Sequence, residues 1–350
     1  MSMSVFIHRH PSLLYGITFA IALVMSAVIT PLMRALACKF DILDRPFSEI
    51  KTHRRPTPYL GGVAVWAGWV IALFVIRLFT NFPTGTLHNL RGILIGSAIM
   101  MGLGLIDDIK TKGLGFKRKF LIQILAAIIV IWFDIRLHFI SPYMMAFALS
   151  VVWIVGITNA FNIIDIMDGL SSGVACIASF AFLLISLPSE MIYVNFCAAA
   201  LAGACLGFIP FNLSQKLKIF MGDTGSLTIG FICASLALGT AYTKLNDIGL
   251  IAPLFILAIP IYDTLLVSFM RLQKGQSPFL GSKDHFALRL EFMGYTRKQI
   301  LVIIYGASAL LSLSAYFITV ATVNEALMIC AVTVVLSWLI TTHLTKVEIH

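Results

Sequence analysis

Runs of about twenty apolar residues recur along the chain, broken by short polar stretches, and this pattern predicts the architecture. A helix needs about 20 residues to cross about 30 Å of hydrocarbon. Windows of that length place spans near 13–36, 60–79, 91–106, 120–133, 143–158, 171–187, 191–209, 224–243, 249–270, 299–321 and 326–343. Lipid offers the backbone no hydrogen-bond partners, so spanning segments are helices or closed barrels, and the short alternating segments of a barrel are absent. The expected fold is all-α, a polytopic bundle of 10–11 transmembrane helices with residues 1–350 forming one integral-membrane domain. Neither an internal repeat nor a low-complexity linker divides it.

Composition sharpens this picture at two points. The net charge of +9 would suit nucleic acid, but the basic residues sit in short loops between apolar runs, so no nucleic-acid partner is expected. Loops 38–59, 107–119, 159–170, 210–223 and 271–298 fall on one side and carry most of the Lys and Arg. The other side has little beyond Arg9, Arg77, Arg91, Arg136 and Lys244. Basic loops stay in the cytoplasm, which predicts an outside N-terminus and a cytoplasmic C-terminus. The six cysteines form no CxxC pair and read as free thiols. Ala35–Cys38 faintly has the form of a lipoprotein cleavage site, but the spanning run before it favours an uncleaved first helix.

The informative polar residues fall on that same cytoplasmic side. Asn159–Leu170 reads NAFNIIDIMDGL, setting Asn159, Asn162, Asp165 and Asp168 three apart, which at helical pitch keeps them on one drifting face. A charge at mid-bilayer costs about 2.5–3.5 kcal/mol on insertion scales, so such groups mark a functional face or a span end. Adjacent Asp107 and Asp108, in LIDDIKTKGLGFKRK, cannot both ionise cheaply unless a cation shares them, and Mg²⁺ on a diphosphate is a natural one. Asp223, in MGDTGS, precedes an apolar helix whose first amides can meet an anion. Lys51 in the loop 44–62, and His285 and Arg289 in the loop 281–298, can meet an anionic substrate.

Each stretch alone has a plainer reading. Loop 44–62 would be a headgroup anchor, and Asp107–Lys119 a solvated helix end. Asn159–Leu170 would be a polar face in a transporter, Asp223 or Thr224 an N-cap, and 281–298 a solvated amphipathic loop. Together and in this order, KTHRRPTPYLGG, GLIDD, NAFNIIDIMDGL and FMGDTGSL resemble the polyprenyl-phosphate N-acetylhexosamine-1-phosphate transferases over nearly the whole chain. PTPYLGG looks more like the branch that uses a GlcNAc donor.

The resemblance implies a cytoplasmic cleft at a bacterial inner membrane. There a sugar-1-phosphate passes from a UDP-sugar to a polyprenyl phosphate and UMP leaves, early in envelope glycan assembly. It implies Mg²⁺, with Mn²⁺ as the substitute, held by Asp223 with Asn162. Asp107 and Asp108 would face the lipid phosphate, one as a base. Asp165 and Asp168 would line the nucleoside end, Asn159 would be among the residues that bind the nucleotide-sugar, Lys119 would contact the diphosphate, and Asn212 matches an asparagine ahead of the MGD loop. Relatives carry two or three histidines before an Arg-Leu pair, whereas here Asp284–Leu290 keeps only His285. The sequence leaves a homodimer open.

Three other readings fit less well. A UbiA-like membrane prenyltransferase needs a later carboxylate where Thr111 stands and leaves MGDTGS unexplained. A CDP-alcohol phosphotransferase needs Ala-Arg after Asp168-Gly169. A secondary transporter would place its polar groups at the midplane and show repeats.

Overall fold

The computed structural model describes residues 11–45, 56–80, 82, 84–110, 113–189, 191–243, 245–277 and 284–346. Among the described residues the chain is all-α apart from one antiparallel pairing of β1 (Leu43–Asp44) with β2 (Thr57–Pro58). The helices in order are α1 (Pro11–Lys39), α2 (Gly61–Phe79), α3 (Thr84–Ile109), α4 (Phe116–Trp132), α5 (Tyr143–Ile164), α6 (Leu170–Ser186) and α7 (Ile192–Asn212). They continue with α8 (Gly222–Gly239), α9 (Ala252–Ile256), α10 (Ala258–Gln273), α11 (Phe286–Phe292), α12 (Arg297–Val320) and α13 (Val323–Leu344).

Eight of these are long and apolar enough to cross a membrane: α1, α2, α3, α5, α6, α7, α12 and α13. Among the described residues one further pair of helices is apolar enough when taken together, the segment 247–256 meeting α10 at a bend of 69°, which makes it a broken span or a re-entrant loop. By length and composition the described residues thus hold eight such helices, or nine with the bent pair, against the 10–11 spans expected. The helix α4 has 17 residues, about 26 Å at 1.5 Å per residue, short of the hydrocarbon thickness. The other exception, α8, opens with Gly222, Asp223, Thr224, Gly225 and Ser226 and lies at the centre of the bundle, almost wholly buried. A helix that meets protein on every side needs no lipid-grade surface.

Small residues let the central helices close up. A Cβ on Gly203 or Gly207 of α7 would run into the backbone of α1 at Phe19 and Leu23, the close approach that drives helix association in lipid. Trp69 of α2 fills the space above and donates its indole N–H to the Cys197 carbonyl at 3.1 Å. At the periphery α13 fully buries only Ala326 and Leu344 and leaves most of its remaining residues exposed.

Candidate active site

The polar residues converge where α3, α5 and α8 meet at one end of the bundle. The helix α5 stops at Ile164, so Asn159 and Asn162 stand on its last turns while Asp165 and Asp168 lie on the irregular turn that follows. The four therefore do not share a continuous helical face. Gly169 closes that turn at φ +79°, a left-handed backbone that glycine adopts without Cβ strain. Asn162 Nδ2 donates to Asp223 Oδ1 at 3.0 Å and to Ser226 Oγ at 2.9 Å, tying α5 to the first turn of α8.

Asp107 and Asp108, adjacent in sequence, do different things. Asp108 turns toward α8 and accepts the Asp223 N–H at 2.9 Å, the Thr224 N–H at 3.0 Å and the Thr224 hydroxyl at 2.6 Å. A carboxylate at a helix N-terminus satisfies amides that have no intrahelical partner and faces the positive end of the dipole. Gly104 makes this docking feasible, since a Cβ there would collide with Thr224. Asp107 instead accepts the Leu114 N–H at 2.6 Å and pairs with Lys119 Nζ at 2.6 Å. Lys119 also pairs with Asp223 and so bridges the two carboxylates.

The PTPYLGG stretch is a splint for the Asp223 loop. Phe220 N–H donates to Pro58 at 2.8 Å, Gly61 N–H to Phe220 at 3.0 Å and Gly62 N–H to Met221 at 2.9 Å. Burial, with the Asp44 carboxylate beside it, pushes the Tyr59 phenol well above its usual range and keeps it neutral. Gly62 is compulsory here, because any side chain would enter the α8 backbone at Gly225.

Two spaces open onto this cluster. One is a polar cavity of about 280 Å³ lined by Asp108, Asn162, Asp165, Asp168, Asn212 and Asp223, together with Tyr59, Lys218, Phe220, Leu288 and Arg297. Enclosure by these walls, then the charges of Asp223, Asp168 and Asp108, push the Asp165 carboxyl well above the usual carboxylate range. The second is a groove of about 690 Å³ between α4, α5 and α10. Its polar end holds Asp107, Lys119, Asn159 and Asn162, and Phe120, Ile124, Val151 and Val155 line the apolar remainder.

The glycosyl transferase family 4 profile matches residues 90–241, the stretch that carries most of this cluster. A probable undecaprenyl-phosphate N-acetylglucosaminyl 1-phosphate transferase of Bacillus subtilis (strain 168) is 30% identical over 328 residues, covering 91% of this chain and 89% of that protein. The chain belongs to glycosyl transferase family 4. Decaprenyl-phosphate N-acetylglucosaminephosphotransferase of Mycobacterium tuberculosis (strain H37Rv) is also 30% identical, over 83% of this chain and 78% of its own. Undecaprenyl-phosphate alpha-N-acetylglucosaminyl 1-phosphate transferase of Escherichia coli (strain K12) is 29% identical over 80% of this chain and 77% of its own.

Within this family 4 enzyme most of the expected residues meet at the site. Asp107, Asp108, Asn159, Asn162, Asp165, Asp168, Lys119, Asn212 and Asp223 all line the cavity or the groove. Asn159 exchanges hydrogen bonds with Gln123, donating at 2.7 Å, and lines the groove rather than the polar cavity. Asn212 faces the cavity but spends both ends of its amide on backbone, as Gly169 N–H donates to Oδ1 at 2.5 Å and Nδ2 donates to the Ile219 carbonyl at 2.9 Å. Lys51 lies outside the described residues.

His285 and Arg289 do not line the cavity, so the structure does not bring them to the place expected of them. They are 4% and 1% exposed. His285 Nδ1 pairs with Asp263 Oδ2 at 2.8 Å, while Arg289 donates to the Leu344 carbonyl at 2.9 Å and to Asp284 Oδ1 at 3.1 Å. These contacts fasten α11 to α10 and to the end of α13. The loop reaches the cavity through Leu288, and Arg297 at the start of α12 joins it.

Sequence reasoning passed over Lys218, whose Nζ pairs with Asp168 at 2.7 Å and stands 5.1 Å from the centre of the Phe220 ring. Its position five residues before Asp223 in a basic run was the available signal. Among the described residues there is no group of three or more His, Cys, Asp or Glu at metal-holding distances.

Proposed function

We propose that this protein transfers a HexNAc-1-phosphate, GlcNAc-1-phosphate in the first instance, from a UDP-sugar to a polyprenyl phosphate such as undecaprenyl phosphate. The observation that carries the reading is that the polar cavity and the amphipathic groove share Asn162, and that Lys119 of the groove pairs with Asp223 of the cavity. A water-soluble nucleotide suits the cavity, and a phosphate on a long apolar chain suits the groove. The two substrates of such a transfer would meet at the Asp107–Lys119–Asp223 bridge.

The chemistry asks for charge neutralisation and alignment more than for proton transfer. An oxygen of the polyprenyl phosphate forms a bond to the sugar-bearing phosphorus, the bond between that phosphorus and the bridging oxygen breaks, and UMP leaves carrying that oxygen and its charge. Lys119 supplies a fixed cation next to the anion that develops. Asp108 holds Asp223 and the amides of α8 in register while this happens. Lys218, paired with Asp168, closes the nucleoside end of the cavity.

Asp223 and Asn162 would hold Mg²⁺ or Mn²⁺, with Asp107 adjacent. The donor set is hard oxygen, which suits both ions, and the place already stabilises a positive charge, that of Lys119 between Asp107 and Asp223. When bound, the metal would neutralise the donor diphosphate. This reading supports one domain whose cavity faces the cytoplasm of a bacterial inner membrane, with the N-terminus outside and the C-terminus inside. The clustering of Lys and Arg in the loops around the cavity supports that orientation.

Extraction of the lipid product tests the reading. Purified protein given sugar-labelled UDP-GlcNAc and undecaprenyl phosphate is expected to move label into the organic phase, and to leave it in the aqueous phase when the lipid is omitted. Label that stays aqueous with every UDP-HexNAc tried contradicts it.

A further inference from the structure

The turn that carries Asp168 is gripped at both ends of a single residue. Gly169 gives its N–H to Asn212 Oδ1 at 2.5 Å, and its carbonyl accepts the hydroxyl of Tyr305, on α12, at 2.6 Å. Asn212 in turn donates to the carbonyl of Ile219, next to Lys218 and Phe220, which line the same cavity as Asp168. The ring of Tyr305 lies over Gly173 of α6, where a Cβ would collide with it, so α6 is shaped to admit that ring. A left-handed residue with both peptide groups held, and with the Leu213 side chain where a Cβ would come close to it, has little freedom to reorient.

We propose that Tyr305 is a positioning residue for the nucleoside end of the UDP-sugar. It lies outside every motif of the cavity, and its hydroxyl reaches the cavity only through the Gly169 peptide. With Asn212 it fixes the turn from Met167 to Gly169, and therefore the direction in which Asp168 and its partner Lys218 face the nucleotide. The inference rests on the donor reading given above. Loss of the hydroxyl frees the carbonyl side of the turn and weakens donor binding, while the Asp107–Lys119–Asp223 bridge and the acceptor groove stay as they are.

Tyr305→Phe keeps the ring and removes the hydrogen bond. In steady-state UMP release the KM for UDP-GlcNAc is expected to rise about three- to tenfold, as one net hydrogen bond is worth. The turnover number should stay within about twofold and the KM for undecaprenyl phosphate should not move. Titration with UDP alone in detergent should show the same weakening without turnover. Gly173→Ala, which displaces the ring, should reproduce the rise, and Tyr305→Phe should still unfold cooperatively in detergent, within about 2 °C of the parent. A Tyr305→Phe variant with parental UDP affinity, or one in which both substrates' KM values rise together, overturns the proposal. A parent protein that binds UDP but releases no UMP would count against the transferase reading and leave the positioning role to be read from the UDP titration.

Discussion

The carboxylate of Asp108 accepts the backbone N–H of Asp223 at 2.9 Å. Two acidic residues from distant parts of the chain are thus joined through a peptide group, with Asp108 serving as the anchor of the helix that presents Asp223. Asp108→Asn replaces one acceptor by an NH₂ that faces amide donors. Losing charge-assisted hydrogen bonds of this kind costs about 1–3 kcal/mol, so the variant should melt earlier in detergent and lose activity together. Asp107→Asn should lose activity while keeping the parental melting temperature. Equal melting temperatures for the two variants would refute this division of labour.

The groove makes a separate demand on the acceptor side. Gly156 lines it, and a Cβ there would meet nothing within 4 Å. Gly156→Leu therefore places bulk in the groove, with its Cβ free of any clash, and improves helix propensity. The KM for undecaprenyl phosphate should rise at least about fivefold, with the KM for UDP-GlcNAc within about twofold. An unchanged lipid KM would move the acceptor elsewhere.

His285 should behave as part of the framework. Removing one partner of a buried hydrogen bond typically costs about 1–3 kcal/mol, and His285→Ala leaves the buried Asp263 without that partner. The expected result is a lower melting temperature, with the folded fraction keeping the parental KM for UDP-GlcNAc. A large rise in KM at parental stability would instead place this histidine in contact with substrate.

Much of this could be read from the chain because polar groups in apolar surroundings are costly wherever they fall. Asp107, Asp108, Asn162, Asp165, Asp168 and Asp223 stood out for that reason and came together as one site. What stayed hidden depends on direction. The adjacency of Asp107 and Asp108 does not reveal that one side chain turns to the α8 amides and the other to Lys119. The three-residue spacing of Asn159, Asn162, Asp165 and Asp168 matched a helix, and the helix ends inside it at Ile164. Tyr305 carried no signal, since one tyrosine among the apolar residues of α12 looks like packing. The expected spans outnumber the long apolar helices partly at α8, where burial in protein replaces exposure to lipid.

Asp165 gives the pH dependence of stability. Its carboxyl is raised above the ordinary value near 3.8 by burial and by the neighbouring carboxylates. The folded state therefore holds a proton that the unfolded chain releases, and stability falls as pH rises through the raised value. In chelator, Asp165→Asn should melt above the parent at neutral and alkaline pH, and the gap should close toward pH 4, near the unfolded value. A gap that widens toward acid contradicts this.

The central claim is tested most directly by UMP release from purified protein given UDP-GlcNAc and undecaprenyl phosphate, with and without Mg²⁺, beside Asp223→Asn. Release that needs both the lipid and the metal, and that falls at least about a hundredfold in the variant, is the result predicted here. Release that proceeds without the lipid, or that is undiminished in Asp223→Asn, would contradict it.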